Sequence, residues 1–340
     1  MKSVSSKKGR PALRFLTLRV IFSKTLFGKI YAFASLIKYP MRVAVIEDTA
    51  NHKQYRQVLE SFAKGCGGLI TNSGNIGNFD CAVIFGSYKK DRGKSQHRGK
   101  GKVIESGIPY VQLETQLIGR PIDTAFHTEF RVGVNGFLWD EAQWGFEHIK
   151  DNRTQKVFER NGYDPDIAWR DDGDYILVCM QKVGDASMRG QDVFAWTDQT
   201  VNEIRKHTQR KIVIRPHPLY RKSALHNDLR ENLLKIADVH WQEADVTKPN
   251  FIPINEQLNK AWCTVTYTSG TGIDAVLNGV PNIACDSGSM VYEVSSKALS
   301  EVESPYKGPK KDWANKIAHC QWSIAEFESG ECWEHVSNSI

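Results

Sequence analysis

From residue 42 onward, short apolar runs alternate with segments whose apolar positions recur at helical spacing. Arg42–Ile46 is a β-branched run that ends in Glu47-Asp48. Behind it Tyr55, Val58, Leu59 and Phe62 fall at i, i+3, i+4 and i+7, which is one face of a helix, and Gly65 and Gly67-Gly68 stop that helix. Gly68–Ile70 and Cys81–Phe85 read as two more strands. Ser87–Lys100 reads as a polar loop, the stretch carrying Val103 and Ile104 as a helix, and Pro109–Leu113 as another strand. Residues 115–170 break the rhythm: Trp139, Trp144 and Trp169 sit among charges and glycines, which predicts loops and short helices.

Asp171–Asp174 reads as a linker, and a second alternating series follows it. Strands are predicted at Tyr175–Cys179, Lys211–Arg215, Val239–Trp241, Cys263–Tyr267 and Asn282–Cys285. Helices are predicted over Phe194–His207, Leu225–Ile236, Ile254–Ala261 and Gly272–Leu277, and a last one runs from Asp312 to about Phe327. Strands that alternate with helices form a parallel sheet covered on both faces. Two such series predict an α/β protein with two Rossmann-like domains facing a cleft. The first domain is placed at 41–170 and the second at 171–312, with a C-terminal helix at 313–340 that packs back on the first domain.

Composition agrees with a soluble globular protein: of 340 residues, 41% are hydrophobic and 25% charged. The net charge of +6 points to an anionic partner only until its position is read. Residues 1–40 carry nine Lys/Arg and no Asp or Glu, so the remaining 300 residues sum to −3. The leader is interrupted by cations too often to span a bilayer as one apolar stretch. It reads as an extension outside the fold, with a membrane-surface segment as the alternative. The seven cysteines are odd in number and form no CxxC pair, so reduced thiols and a cytoplasmic setting are expected.

Chemistry concentrates at predicted strand ends. Val265–Leu277 is a strand, a turn of small residues at Ser269-Gly270-Thr271, and a helix. Small side chains let a ligand approach the backbone, and hydroxyls add donors, so the turn is expected to bind phosphate, with a simple helix cap as the plainer reading. Arg215-Pro216-His217-Pro218 places a histidine between two prolines at another strand end, with Arg215 available to an anion. Gln181, Asp185 and Ser187 follow the strand at 175–179 and are weaker ligand candidates; Asp286 follows the strand at 282–285. If an acceptor hydroxyl is to be activated, the first domain must supply a base. Glu114, Asp48 and Glu47 are the strand-end carboxylates, and Glu114 ranks first. Arg120, Arg131 and His97, the last in a basic loop, are candidates for binding the acceptor.

Taken together, His217-Pro218, Ser269-Gly270-Thr271 and the phrase TSGTGIDAVLNGVP at 268–281 resemble GT-B-type glycosyltransferases, in particular the capsule-polysaccharide and Kdo-transferase-like group. VGVNG at 132–136, RPHPL at 215–219 and CQWSIAEFESGECWEHV at 320–336 resemble phage and environmental-virus proteins of that type. The resemblance implies a nucleotide-sugar donor held mainly by the second domain, an acceptor held by the first, and no resident metal or cofactor. It implies that His217, Arg215 and the 269–271 turn stabilise the leaving phosphate. A 5-hydroxymethylpyrimidine in phage DNA is the expected acceptor. A surface polysaccharide or lipopolysaccharide is the alternative, and a non-catalytic nucleotide-binding protein or a nucleotide-sugar epimerase are further ones.

Overall fold

A computed structural model describes residues 41–90, 93–121, 127–150, 152–218, 224–243 and 247–340. The predicted leader, 1–40, lies outside the described residues. Residues 40–340 belong to one unit built around two sheets.

The first sheet begins with β1 (Val43–Ile46), α1 (Lys53–Cys66), β2 (Leu69–Thr71), β3 (Cys81–Phe85), α2 (Ser95–Ser106) and β4 (Tyr110–Thr115). Alternate residues of these strands bury on opposite faces. Val43, Val45, Val83 and Leu113 meet Val58, Leu59 and Phe62 of α1, whereas Ala44, Ile46, Ala82 and Ile84 meet Val103 of α2. Two regions differ from the sequence expectation. Helix α2 starts at Ser95, inside the predicted loop, because His97, Lys100 and Val103 share the face turned to the sheet. Residues 115–170 contain β5 (Glu129–Val134), which runs antiparallel to β4, and α3 (Arg153–Arg160).

The second sheet is built from β6 (Tyr175–Cys179), α4 (Val193–Arg205), β7 (Lys211–Arg215), α5 (Ala224–Leu233), β8 (Val239–Trp241), α6 (Ile254–Leu258), β9 (Ala261–Thr266), α7 (Thr271–Leu277) and β10 (Asn282–Ala284). All its strands are parallel, in the order β10-β9-β6-β7-β8. The predicted strands match it to within a residue or two.

The predicted last helix is four elements: α8 (Lys311–His319), β11 (Gln321–Ser323), α9 (Ile324–Glu328) and α10 (Glu331–Val336). β11 pairs antiparallel with β5 and completes the first sheet as β11-β5-β4-β3-β1-β2. Buried Arg153 of α3 fastens this segment. It donates to Glu326 at 2.6 Å and to the Ala318 carbonyl at 3.0 Å, and it lies 3.5 Å from the Trp322 ring. A third apolar cluster, including Leu117, Phe158, Ile273, Val276, Met290, Trp313 and Ile317, joins the two sheets. Among the described residues no helix is long and apolar enough to cross a membrane.

Candidate active site at the strand ends

Parallel strands put their C-terminal ends on one edge of a sheet, and in an open α/β sheet the crevice forms where the strand order reverses. In the second sheet that reversal lies between β6 and β9. Gln181, just past β6, bridges the gap: its carbonyl accepts from the Thr268 N–H at 2.8 Å and its amide donates to the hydroxyls of Ser187 at 2.6 Å and Thr268 at 3.0 Å. The Ser187 hydroxyl and backbone N–H both donate to Asp185 Oδ1, at 2.9 and 3.0 Å. The fixed amide therefore holds Asp185 through Ser187. Lys89 reaches over from the first half, donating to the Gly184 carbonyl at 2.8 Å and lying 4.0 Å from Asp185 Oδ2.

A cavity of about 250 Å³ opens at this point. The second half lines it with Gln181, Lys182, Asp185, Ser187, His217, Thr268, Ser269 and Gly270. The first half faces them with Ser87, Glu114, Thr115, Gln116, Arg120 and Arg131. Burial lowers the His217 imidazole to about 4, against a smaller upward pull from Asp185. At neutral pH the ring is therefore uncharged, with one N–H donor and one acceptor nitrogen.

Glu114 and Arg131 stand opposite each other in the β4–β5 ladder. Neither forms an ion pair among the described residues. Arg131 lies 5.2 Å from the Phe137 ring, and its buried Nε has no hydrogen-bond partner. Burial pulls its pKa down while Glu114 pulls it up. A desolvated guanidinium that lines a cavity and forms no ion pair with a carboxylate suits an anionic group of a ligand. Lys100 is buried on α2 and its amine is lowered to about 8, chiefly by burial; it sits 3.4 Å from the Ser87 carbonyl.

Arg120 crosses between the halves. It pairs with Asp274 of α7, whose carboxyl burial raises despite the arginine, and it packs directly against Gly270. A side chain at 270 would collide with that guanidinium. The smallness of the turn thus makes room for Arg120, a reason distinct from ligand approach.

Six candidates lie outside the cavity lining, and Glu47 among them is exposed in the turn after β1. Asp48 accepts from the Ser73 N–H at 2.9 Å and hydroxyl at 2.7 Å, and so closes a turn. His97 is buried in α2, with Nδ1 accepting from the Lys89 N–H at 3.2 Å. Arg215, expected to be available to an anion, is instead buried, donating to the Ile252 carbonyl at 2.8 Å and to Gln257. Thr271 exchanges contacts with Ser269 inside the turn. Asp286 accepts from the Gly288 N–H and pairs with Arg189, which also pairs with Asp140 of the first half. Sequence reasoning misses Thr268, Lys182 and Gln116: Thr268 adjoins a recognised turn, and the other two carry no local signal. Among the described residues no group of three or more His, Cys, Asp and Glu could hold a metal ion.

The two facing α/β sheets, with the cavity at their strand ends, make this a GT-B-type fold. The chain is similar in structure to a β-Kdo 2,7-transferase, KpsC of Thermosulfurimonas dismutans, at 15% identity and a TM-score of 0.50, over 88% of this chain and 100% of that one. It is also similar to the β-Kdo 2,4-transferase of the same organism's KpsC, at 13% identity and a TM-score of 0.48, over 85% and 98%. A Methanocaldococcus jannaschii UDP-GlcNAc 2-epimerase, solved with UDP-GlcNAc and UDP, follows at 11% identity and a TM-score of 0.31, over 79% and 82%. At 15% identity the likeness to the 2,7-transferase is one of fold. No family model and no curated protein matches the chain by sequence.

Proposed function

We propose that the chain is a nucleotide-sugar-dependent glycosyltransferase acting in this cavity. The observation that carries the reading is one of placement: Glu114, a carboxylate without an ion pair, opens from the first half onto the same cavity as His217, Asp185 and Ser269 of the second. Glu114 takes the proton of the acceptor hydroxyl as its oxygen bonds to the anomeric carbon. The bond from that carbon to the donor phosphate breaks, and the electron pair leaves with the phosphate. Arg120, the His217 N–H and the Ser269 hydroxyl face the charge that develops there. Arg120 replaces Arg215 in that role, because Arg215 is committed to Ile252 and Gln257. The proposal uses no resident metal or cofactor.

The acceptor we propose is a hydroxymethylated pyrimidine in DNA. The exposed Lys94, just before α2, and Arg98 and Lys102 within it, on the helix that follows the Ser87 loop at the cavity, support it by offering cations to a phosphate backbone. A surface glycan is the second reading, favoured by the net −3 of residues 41–340. The full chain is incubated with mixed nucleotide sugars and either a 5-hydroxymethylcytosine duplex or an oligosaccharide panel, and products are weighed by mass spectrometry. A hexose-sized mass gain on the duplex supports the DNA reading. A gain on a glycan alone replaces it with the second. Donor binding without transfer to any acceptor, or donor turnover without acceptor, removes the transferase.

A further inference from the structure

A second cavity, of about 420 Å³, is lined by Trp139, Ala142, Gln143, Trp144, Gly145, Phe146, Glu147, Glu293 and Ser339. Two stretches of chain reach both the transfer cavity and this one: Leu138 and Met290 line the first, and Trp139 and Glu293 line the second. Its apolar part is aromatic. The Phe146 ring lies 5.3 Å from Trp139 and is stacked at 17° on Trp144, 6.5 Å away.

The polar groups are the ones that suit hydroxyls. Trp144 spends its indole N–H on the Trp139 carbonyl at 3.1 Å. The Trp139 indole N–H has no hydrogen-bond partner among the described residues and is not among the side-chain atoms sealed from solvent. An indole N–H left free of partners within the chain can donate to an acceptor from outside it. Glu147 and Glu293 supply carboxylate acceptors, and the Gln143 side-chain amide is exposed beside them. Glu293 is paired with Lys316 at 2.8 Å, and Glu147 accepts from Ser339 at 3.3 Å. Two carboxylates against one lysine repel phosphates and acidic sugars.

We propose that this cavity binds a neutral pyranose unit of a glycan. The sugar's apolar C–H face lies on the Phe146–Trp139 surface, and its hydroxyls donate to Glu147 and Glu293 and accept from the Trp139 N–H. Binding here does not depend on the transferase reading, because it is measured without turnover.

The test is saturation-transfer NMR and tryptophan fluorescence titration of the full chain with cellotriose, maltotriose and chitotriose, and with trigalacturonate as the acidic counterpart. At least one neutral trisaccharide should bind saturably, and more tightly than trigalacturonate. Phe146→Ala should weaken it about tenfold or more, as loss of an aromatic anchor does, and Glu147→Gln, which removes the charge from an exposed acceptor, should weaken it measurably. Phe146→Tyr should retain it, and Glu114→Gln in the transfer cavity should leave it unchanged. Three results overturn the proposal: no neutral trisaccharide binds the folded chain, the acidic one binds as well, or binding survives both Phe146→Ala and Glu147→Gln. Loss on Glu114→Gln alone would place any binding in the transfer cavity instead.

Discussion

The two sheets are built differently, and the contrast decides what each contributes to the cavity. The second is wholly parallel and continuous in sequence from Tyr175 to Ala284, so its strand ends fall in a regular succession. Its polar wall is tied internally, Gln181 to Thr268 and Ser187 to Asp185. The first sheet is closed by two antiparallel strands, β5 and β11, the latter drawn from the far end of the chain. Among its contributions to the cavity, Glu114 and Arg131 are placed by the ladder and form no ion pair among the described residues, Glu114 accepting only a long bond from the Thr115 N–H at 3.4 Å. A tied wall suits binding, and an untied carboxylate suits proton transfer. The sharpest way to break that division is Glu114→Gln. Transfer should fall by about 10²–10⁴-fold, the usual contribution of a positioned base. The melting temperature should hardly move, since no ion pair is lost. Activity within a few-fold of the parent would move the base elsewhere.

The next largest effect concerns what closes the first sheet. Arg153 is buried and links α3 to Glu326, Ala318 and Trp322. Arg153→Leu leaves the buried Glu326 carboxylate without its main partner and should cost about 3–5 kcal/mol in urea unfolding. Burial raises Glu326, but the attraction and hydrogen bonds of Arg153, with a further bond from Arg160, outweigh it and hold the group well below the usual carboxylate range. A depressed carboxylate stabilises above its unfolded pKa and loses that stabilisation as pH falls through its folded one. The gap between parent and variant should therefore narrow as pH drops below about 4.5. A gap independent of pH would mean that Arg153 acts through packing on Trp322 alone.

The same contrast explains what was legible in the sequence. Strands β6, β7 and β9 are apolar runs bounded by turn residues, and they are buried on both faces, so the pattern names them without tertiary knowledge. Ser269-Gly270 and His217 were legible because they directly follow such runs. β5 was not: Glu129, Arg131 and Gly133, on the face opposite Phe130, Val132 and Val134, break up the apolar run, and each owes its place to something distant. Glu129 is held by Arg160, Arg131 faces the cavity, and Gly133 lies against Gly136, Ala142 and Trp144. β11 is a three-residue edge inside a helical pattern, and only its pairing with β5 makes it a strand. Arg215 and Arg120 show the limit for side chains. Both are arginines near strand ends, and only the fold decides that the first is buried against Gln257 while the second lies on Gly270.

His217 and Arg215 sharpen that limit within one wall. Arg215→Leu removes the donor to Ile252 and Gln257 and should cost about 1–3 kcal/mol of stability, while the folded fraction keeps its turnover. His217→Ala should do the reverse. Because the imidazole is lowered to about 4, kcat/KM should show no inflection near pH 6.5 from this residue, and an NMR titration of His217 should centre near 4. A midpoint near 6.5 would show a solvated ring and undo its assignment to the leaving phosphate.

The smallest expected effect separates the two carboxylates at strand ends of the first sheet. Asp48 follows β1 as Glu114 ends β4, yet both of its oxygens accept from Ser73. Asp48→Asn keeps one acceptor for the Ser73 N–H and loses the one for its hydroxyl, which should cost about 1 kcal/mol and leave transfer by the folded protein unchanged. The two substitutions remove the same charge from the same edge of the same sheet, so their difference isolates placement from chemistry. If Asp48→Asn abolished transfer while Glu114→Gln did not, the turn at Ser73 would have to open in the working enzyme. The base would then be a group the fold holds closed, and the division between a tied wall for binding and an untied carboxylate for proton transfer would fail.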